Sequence, residues 1–387
     1  MKKISFLFLF APALFFSCKH TDKKSSAPSG SDSLSATQAP GNYYLQYEGT
    51  IGNQPAVMHV VKFGNTYDVN YTSNNEGQTV DLLFQKDSLL KNDSLFFTAF
   101  APRSVQEDPN GTDAAFHLVI RPDGITGLKI NNNERQPVQF HPKEGGSAFV
   151  PVGYLDSIRI TGFKKDTPTA FSSLVLLEPG GTPNNWFTAL LKKHILGAQR
   201  PDSTSLQTAL TQFGRSFIEN FRDDIDTMKA AGNADEAPFS MMHYDQQISS
   251  NLIYNNNGYA VLSVGNYAYT GGAHGIYGQT MLCLDMQQQK ELLLGDVLRI
   301  DPATLQPILE RHLRARYKIA ADTPLTDILF DERLALTDNF YFTPKGIGFI
   351  YQPYEVAAYA LGLIDIWVPY TDLRPYLQPA FIQRMGI

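Results

Sequence analysis

Between residues 43 and 142 short runs of alternating apolar and polar residues follow one another at near-regular spacing, and this pattern constrains the fold most. Segments 43–49, 56–61, 66–71, 80–84, 95–100, 116–120 and 127–130 all carry it. A period of two puts successive side chains on opposite faces of a sheet, which a helix cannot do. Gly52-Asn53, Gly64-Asn65, Asn110-Gly111 and Asp123-Gly124 separate several of these runs. Such pairs accept the positive backbone angles of tight hairpins. Many short strands joined this way predict an all-β meander or barrel-like domain over 42–145.

Gly145-Gly146 and Pro151 mark a boundary, and the texture then changes. Segments 154–160 and 173–177 read as strands, and Asn184-Asn185 can cap a helix that ends at Gly197. Leu206, Leu210, Phe213, Phe217, Phe221, Ile225 and Met228 recur at steps of three and four, the stripe of an amphipathic helix closed by Gly232. Strands return at 243–255, 258–269 and 279–285, the first two joined by the turn Asn255-Asn-Asn-Gly258. Asp301-Pro302 is an N-cap followed by proline at the first helical position. Strands at 340–342, 346–351 and 361–368 and a short helix from 371 close the chain. Without strand–helix–strand alternation, this order predicts an α+β domain over 152–387, with helices packed on an antiparallel sheet.

The first eighteen residues set the compartment. Met1-Lys2-Lys3 precedes an apolar run from Ile4 to Phe16, a charged segment and short apolar core like those of a secretory signal. The run is too short to span a bilayer as a helix, which takes about 20 residues. It ends Leu14-Phe-Phe-Ser-Cys18, which resembles a bacterial lipobox, although Phe15 stands where an aliphatic residue is usual. The resemblance implies a signal peptide over 1–17 and acyl chains on Cys18 that reach the lipid bilayer. Residues 18–41, rich in Ser, Pro and Gly, then form a flexible tether. Only Asp22 is acidic in the first stretch after Cys18, so the periplasmic face is preferred over the cell surface. Removing Lys2 and Lys3 takes the formal charge from −6 to −8. That balance gives no basic footprint for nucleic acid.

Composition excludes more than it selects. Aromatic residues at 12% and apolar residues at 43% exclude a disordered chain. Two cysteines exclude a disulfide framework, and Cys283, inside the apolar Thr280-Met-Leu-Cys-Leu, reads as a buried, inert thiol. The eight histidines are never closer than 24 residues, so no local metal motif exists and any metal site would be assembled from separate strands. Asp223, Asp224 and Asp226 read as the solvated face of their helix. Ser88-Leu-Leu-Lys91 matches Ser-x-x-Lys without its partner motifs, and no Gly-x-Ser-x-Gly or phosphate loop occurs. No cofactor is expected.

Three motifs carry chemistry: Asn266-Tyr-Ala-Tyr-Thr-Gly-Gly-Ala-His-Gly275, the segment from Asn339 to Gly362 that contains Pro353-Tyr-Glu355, and Ile366-Trp-Val-Pro-Tyr-Thr-Asp-Leu373. Together they resemble the extracytoplasmic domain shared by RsiV-type anti-sigma factors and PdaC-type peptidoglycan deacetylases, over about residue 154 to the C-terminus. In RsiV-like members the domain is a sensor that binds lysozyme; in PdaC-like members it is joined to a separate zinc-dependent deacetylase domain. No such catalytic part follows here, so the resemblance implies a cell-envelope binding module. The partner it implies is a peptidoglycan fragment or a lysozyme-like protein.

Two titratable groups invite a catalytic reading. Gly271, Gly272 and Gly275 let the backbone present His274 at a cleft as base or hydrogen bonder; equally, a tight turn needs glycines and His274 anchors it. Glu355, between Tyr354 and Tyr359 and after Pro353, is either a general acid or the cap of the turn Tyr354–Tyr359, accepting its backbone N–H bonds. A hydrolase using His274 and Glu355 is thus the rival reading, and a purely structural envelope protein the third. Tyr254, Tyr259, Tyr267, Tyr269, Tyr277, Tyr351, Tyr354, Tyr359 and Tyr370 gather around the same motifs. Tyrosine joins an apolar face to a hydrogen-bonding tip, which suits protein interfaces and sugar rings, though it is also a routine sheet residue. The expected binding set is Tyr267, Tyr269, Gly271, Gly272, His274, Gly275, Pro353, Tyr354, Glu355 and Tyr359.

Overall fold

The alternating runs close on themselves. In a computed structural model, strands β1 (Tyr43–Ile51), β2 (Gln54–Phe63), β3 (Thr66–Ser73), β4 (Thr79–Phe84), β5 (Leu95–Phe100), β6 (Ala115–Arg121), β7 (Gly124–Asn131) and β8 (Glu134–Pro142) pair in sequence order as a closed antiparallel barrel. The structure describes residues 41–387 except 76, 86–93, 101–113, 133, 165, 182–184, 198–203, 233–237 and 239–240. The expected signal segment, Cys18, the tether up to residue 40 and the Ser88–Lys91 match lie outside the described residues. Eight strands give a barrel just wide enough for side chains to fill. Tyr47, Met58, Val60, Phe97, Phe116, Leu118 and Ile125, all at 0% exposure, fill it, so the lumen is a core.

The eighth strand is the one the alternation did not reveal. Glu134–Pro142 begins with two charged residues and contains Pro137, both unlike a strand interior. Pro137 falls one residue beyond the stretch of β8 that pairs with β1, where a missing N–H does least harm.

The barrel's outer wall on β1 to β3 is also covered. Tyr44 and Val61 pack with Phe187, Leu210 and Leu252 of the following region. Asn70 donates to Leu252 O at 3.1 Å, and Asn251 donates to Asp68 O at 3.1 Å and Asp68 Oδ1 at 3.0 Å.

Beyond the barrel, β9 (Phe149–Arg159), β10 (Thr169–Pro179), β11 (His243–Asn256), β12 (Tyr259–Tyr269), β13 (Ile276–Asp285) and β14 (Lys290–Glu291) form a six-stranded sheet in the order β14-β13-β12-β11-β10-β9. Pro151 lies inside β9 instead of before it, on an edge strand that tolerates it. The sheet is mixed, which corrects the antiparallel expectation at one joint: β10 and β11 run parallel from Thr169↔His243 to Val175↔Ser249. Parallel neighbours need a long crossover. Helix α1 (Asn185–Leu191), a π-helical turn (Lys192–Leu196) and helix α2 (Leu206–Ala230) supply it. Ser205 caps α2 by accepting from Thr208 N.

A third layer follows. α3 (Leu294–Val297) and α4 (Pro302–Arg316) precede a three-stranded antiparallel sheet of β15 (Phe340–Phe342), β16 (Gly346–Tyr351) and β17 (Ile364–Pro369), then α5 (Tyr370–Leu373) and α6 (Pro379–Met385). Asp301 caps α4 as its sequence predicts. The largest core gathers Val261, Leu305, Leu309, Leu313, Phe342, Phe349, Ile366 and Phe381. Cys283 sits in it at 2% exposure; burial pushes its thiol well above the ordinary range, as an inert thiol requires. Among the described residues no helix is long and apolar enough to cross a membrane.

Candidate functional site

Strand β12 ends at Tyr269 and β13 begins at Ile276, so the connecting turn carries Gly271, Gly272, His274 and Gly275 to the rim of the six-stranded sheet. Gly271 and Gly272 both have φ of +98°, an angle that a side chain resists. Tyr269 donates its hydroxyl to Gly272 O at 3.0 Å and pins the turn. His274 Nδ1 lies 2.9 Å from Gly275 O; a carbonyl only accepts, so Nδ1–H is the donor of this bond.

The second motif reaches this rim from the three-stranded sheet. After β16, Glu355 N donates to Gln352 O at 3.0 Å, closing a four-residue turn with Pro353 and Tyr354 at its centre. Tyr354 has φ of +69°. Proline followed by a positive angle is the type II pattern, whose third position normally holds glycine or asparagine. Glu355 Oε2 accepts Gln352 N–H at 2.7 Å and so caps the turn it belongs to.

These two turns meet through rings. His274 stacks on Tyr359 with centroids 4.0 Å apart and planes 23° apart. Tyr354 lies 5.3 Å from Tyr359 and 6.5 Å from His274, both at 33°. Tyr277 meets Tyr359 edge-on at 5.5 Å. Tyr359 also donates to Gly275 O at 2.6 Å, which joins the turns covalently distant in sequence. Burial, then the neighbouring Tyr354, holds the Tyr359 hydroxyl above its ordinary value, so it stays a neutral donor. The outcome is an aromatic platform with Tyr354 58% exposed and Ile276 beside it 70% exposed.

The sequence-expected residues therefore divide. His274, Tyr354 and Tyr359 form the platform; Pro353 and Glu355 build its turn; Tyr269, Gly271 and Gly272 build the facing one. Tyr267 lies against Gly275, where an added Cβ would come 2.4 Å from its ring, so that glycine makes room for Tyr267. Among the described residues no hydrogen bond joins His274 to Glu355, and no group of three His, Cys, Asp or Glu is placed to hold a metal ion. Tyr277 belongs to the tyrosine cluster read from the sequence; Ile276 was not singled out, because an isolated apolar residue at a strand end carries no chemical signal.

Comparison with known proteins falls on this half of the chain. Residues 194–277 match the family described as Deacetylase PdaC, and residues 298–371 match the protein of unknown function family DUF3298. The C-terminal region is a PdaC/DUF3298-like extracytoplasmic domain. A DUF3298 family member from Bacteroides fragilis has a similar solved structure, with TM-score 0.52 and 22% identity over 62% of this chain and 99% of that one. A DUF3298 family protein from Pseudomonas aeruginosa aligns with TM-score 0.41 and 17% identity over 60% of this chain and 95% of that one. The first likeness speaks for a shared fold. No curated protein matches the chain. Platform residues His274, Tyr354 and Tyr359 all lie within the PdaC/DUF3298-like region, and the barrel is an addition to it.

Proposed function

We propose that the chain is a non-catalytic binding or sensor module of the cell envelope, held to the membrane by an acylated Cys18 on the periplasmic face. Its docking surface is the aromatic platform of His274, Tyr354 and Tyr359, and its ligand is a cell-wall glycan or a wall-acting protein such as lysozyme. One observation carries this reading: Tyr354 keeps a large exposed ring at a backbone angle of +69°, where glycine would sit without strain. Strained residues held in place by their surroundings cluster at ligand sites. The fold gains little burial from a ring 58% exposed, so an exposed partner is the use that remains for it. Tyrosine rings serve both sugar faces and protein interfaces. The cap that Glu355 makes on Gln352 N–H argues against a working His274–Glu355 pair.

Calorimetry of the soluble chain 42–387 with lysozyme and with peptidoglycan fragments tests it, with mass spectrometry of the fragments afterwards. Binding heat with one partner and unaltered fragments is the expected result. No heat with either partner contradicts the reading; altered fragments that depend on His274 would favour a hydrolase.

A further inference from the structure

The platform straddles a seam. β13 belongs to the six-stranded sheet and β16 to the three-stranded one, and no ladder joins them. An open strand edge presents unpaired N–H and C=O groups that proteins must cover. Here side chains cover it. Gln279 N donates to Gln352 Oε1 at 3.0 Å, and Gln352 Nε2 donates back to Gln279 O at 2.8 Å. Two residues further along the same edge, Met281 N donates to Asn339 Oδ1 at 2.8 Å, and Asn339 Nδ2 also donates to Gln279 O at 2.8 Å. Cys283 Sγ then lies 3.4 Å from Phe340 O. In the other direction Gly275 O accepts from Tyr359. The backbone contacts fall on residues 275, 279 and 281, all on one edge of the strand. Each primary amide offers one acceptor and two donors, so it can imitate the N–H and C=O of a neighbouring strand.

We infer that Gln352 is the positioning residue of the platform: its side-chain amide replaces the missing strand pairing and clamps the Tyr354 turn to the strand that carries Tyr277 and follows the His274 turn. Gln352 stands at the first position of the Tyr354 turn, so any shift of its amide moves that ring directly. Gly278 supports the clamp, since a Cβ there would come 2.8 Å from Gln352 Oε1. Asn339 holds the seam further from the platform and is bonded within its own sheet, donating to Ile350 O at 3.3 Å. Breaking the Gln352 pair therefore leaves the two turns held by the Tyr359–Gly275 bond and the ring contacts, without opening either sheet. The inference rests on the proposed docking role of the platform, but the geometry of the clamp stands apart from any ligand.

Proton NMR of the soluble chain tests it without a ligand. In the wild-type chain, His274 ring protons are shifted upfield by the Tyr359 ring, and the Gln279 amide exchanges as slowly as one inside a ladder. In Gln352→Ala and in Gln352→Met, which keeps the side-chain length, the His274 shift moves toward its free value while far-ultraviolet circular dichroism is unchanged. Ligand affinity, where the wild type binds, falls about tenfold. A fast-exchanging Gln279 amide in the wild type overturns the clamp, even if both variants fail to fold. An unmoved His274 shift in a folded variant overturns it as well. Loss of all binding in the wild type contradicts the docking role and leaves these two readouts intact.

Discussion

Tyr354 adopts a φ of +69° that costs an ordinary side chain roughly 1–2 kcal/mol and glycine almost nothing. At this position the usual preference inverts. Tyr354→Gly should be more stable than Tyr354→Ala by about 1 kcal/mol in chemical denaturation, because both lose the ring and only alanine keeps the strain. Asp365 gives a second test at this scale. Burial pushes its carboxyl up to about 6 from 3.8, with the Tyr341 hydroxyl at 2.9 Å and Arg316 pulling partly the other way. The folded state thus holds this proton longer than the unfolded state. Its contribution is greatest below the unfolded value of 3.8, falls as pH rises toward about 6 and then levels. A shift of two units corresponds to at most about 3 kcal/mol. Denaturant titrations from pH 4 to 7 should show a shallower fall for Asp365→Asn than for the wild type. The chemistry of single residues was only partly legible in sequence. Motifs brought out His274 and Glu355, but the cap expected on the turn Tyr354–Tyr359 lies instead on Gln352 N–H, in the turn that Glu355 closes. Gln352 went unnoticed because an amide has no motif until its partner strand is known.

At the scale of elements, periodicity located most strands and helices, while neighbour relations escaped it. Of the stripe expected on α2, Leu206, Leu210, Phe221 and Ile225 are buried, and Phe213, Phe217 and Met228 are half-buried against the cores; Ala209, Gly214 and Ile218 widen the buried face. The face is wider because the small Ala209 and Gly214 let the helix lie close to the sheet. Gly214 is the closest point: a Cβ there would come 2.2 Å from the Tyr154 ring. Glycine to alanine inside a helix ordinarily stabilises by about 0.5–1 kcal/mol. Gly214→Ala should instead destabilise by roughly 1–3 kcal/mol, the range for overpacking, as a lower midpoint in thermal unfolding. The parallel β10–β11 joint was equally hidden, since a strand's own period does not say which way its neighbour runs.

For the molecule as a whole, two sets of contacts join parts distant in sequence. Arg384 on α6 reaches back to the β11–β12 hairpin and the end of β13: its guanidinium bonds Asp285 Oδ2 at 2.6 Å and Oδ1 at 3.1 Å, donates to Asn257 O and Gly258 O at 2.8 Å, and lies 3.9 Å over the Tyr259 ring. Burial pushes the Asp285 carboxyl up, but the Arg384 bonds and the Gln287 and Gln288 amides outweigh it and hold the carboxyl below its usual range. Asp285 is 2% exposed, so Arg384→Ala leaves a buried charge unpaired and should cost about 3–5 kcal/mol in denaturant unfolding. Arg384→Lys should recover only part, lacking the planar fork. The other set is the covered barrel wall. The run Gln54–Phe63 is apolar on both faces, a sign of a strand buried on both sides, and His59 within it is 1% exposed. Its Nδ1 is 2.8 Å from the Tyr44 hydroxyl, and burial, then Lys143, pushes its pKa down to about 3, so it stays neutral. The α+β class was thus legible from patterns, but the shared core between barrel and sheet came from tertiary packing.

The most direct test of the platform as a docking surface compares the wild-type soluble chain with Tyr354→Gly, measuring the heat of binding to lysozyme and peptidoglycan fragments beside the thermal midpoint. The expected result is binding in the wild type and its loss in Tyr354→Gly, with the midpoint equal or higher. Equal binding by both chains, or no binding by the wild type, would contradict the account.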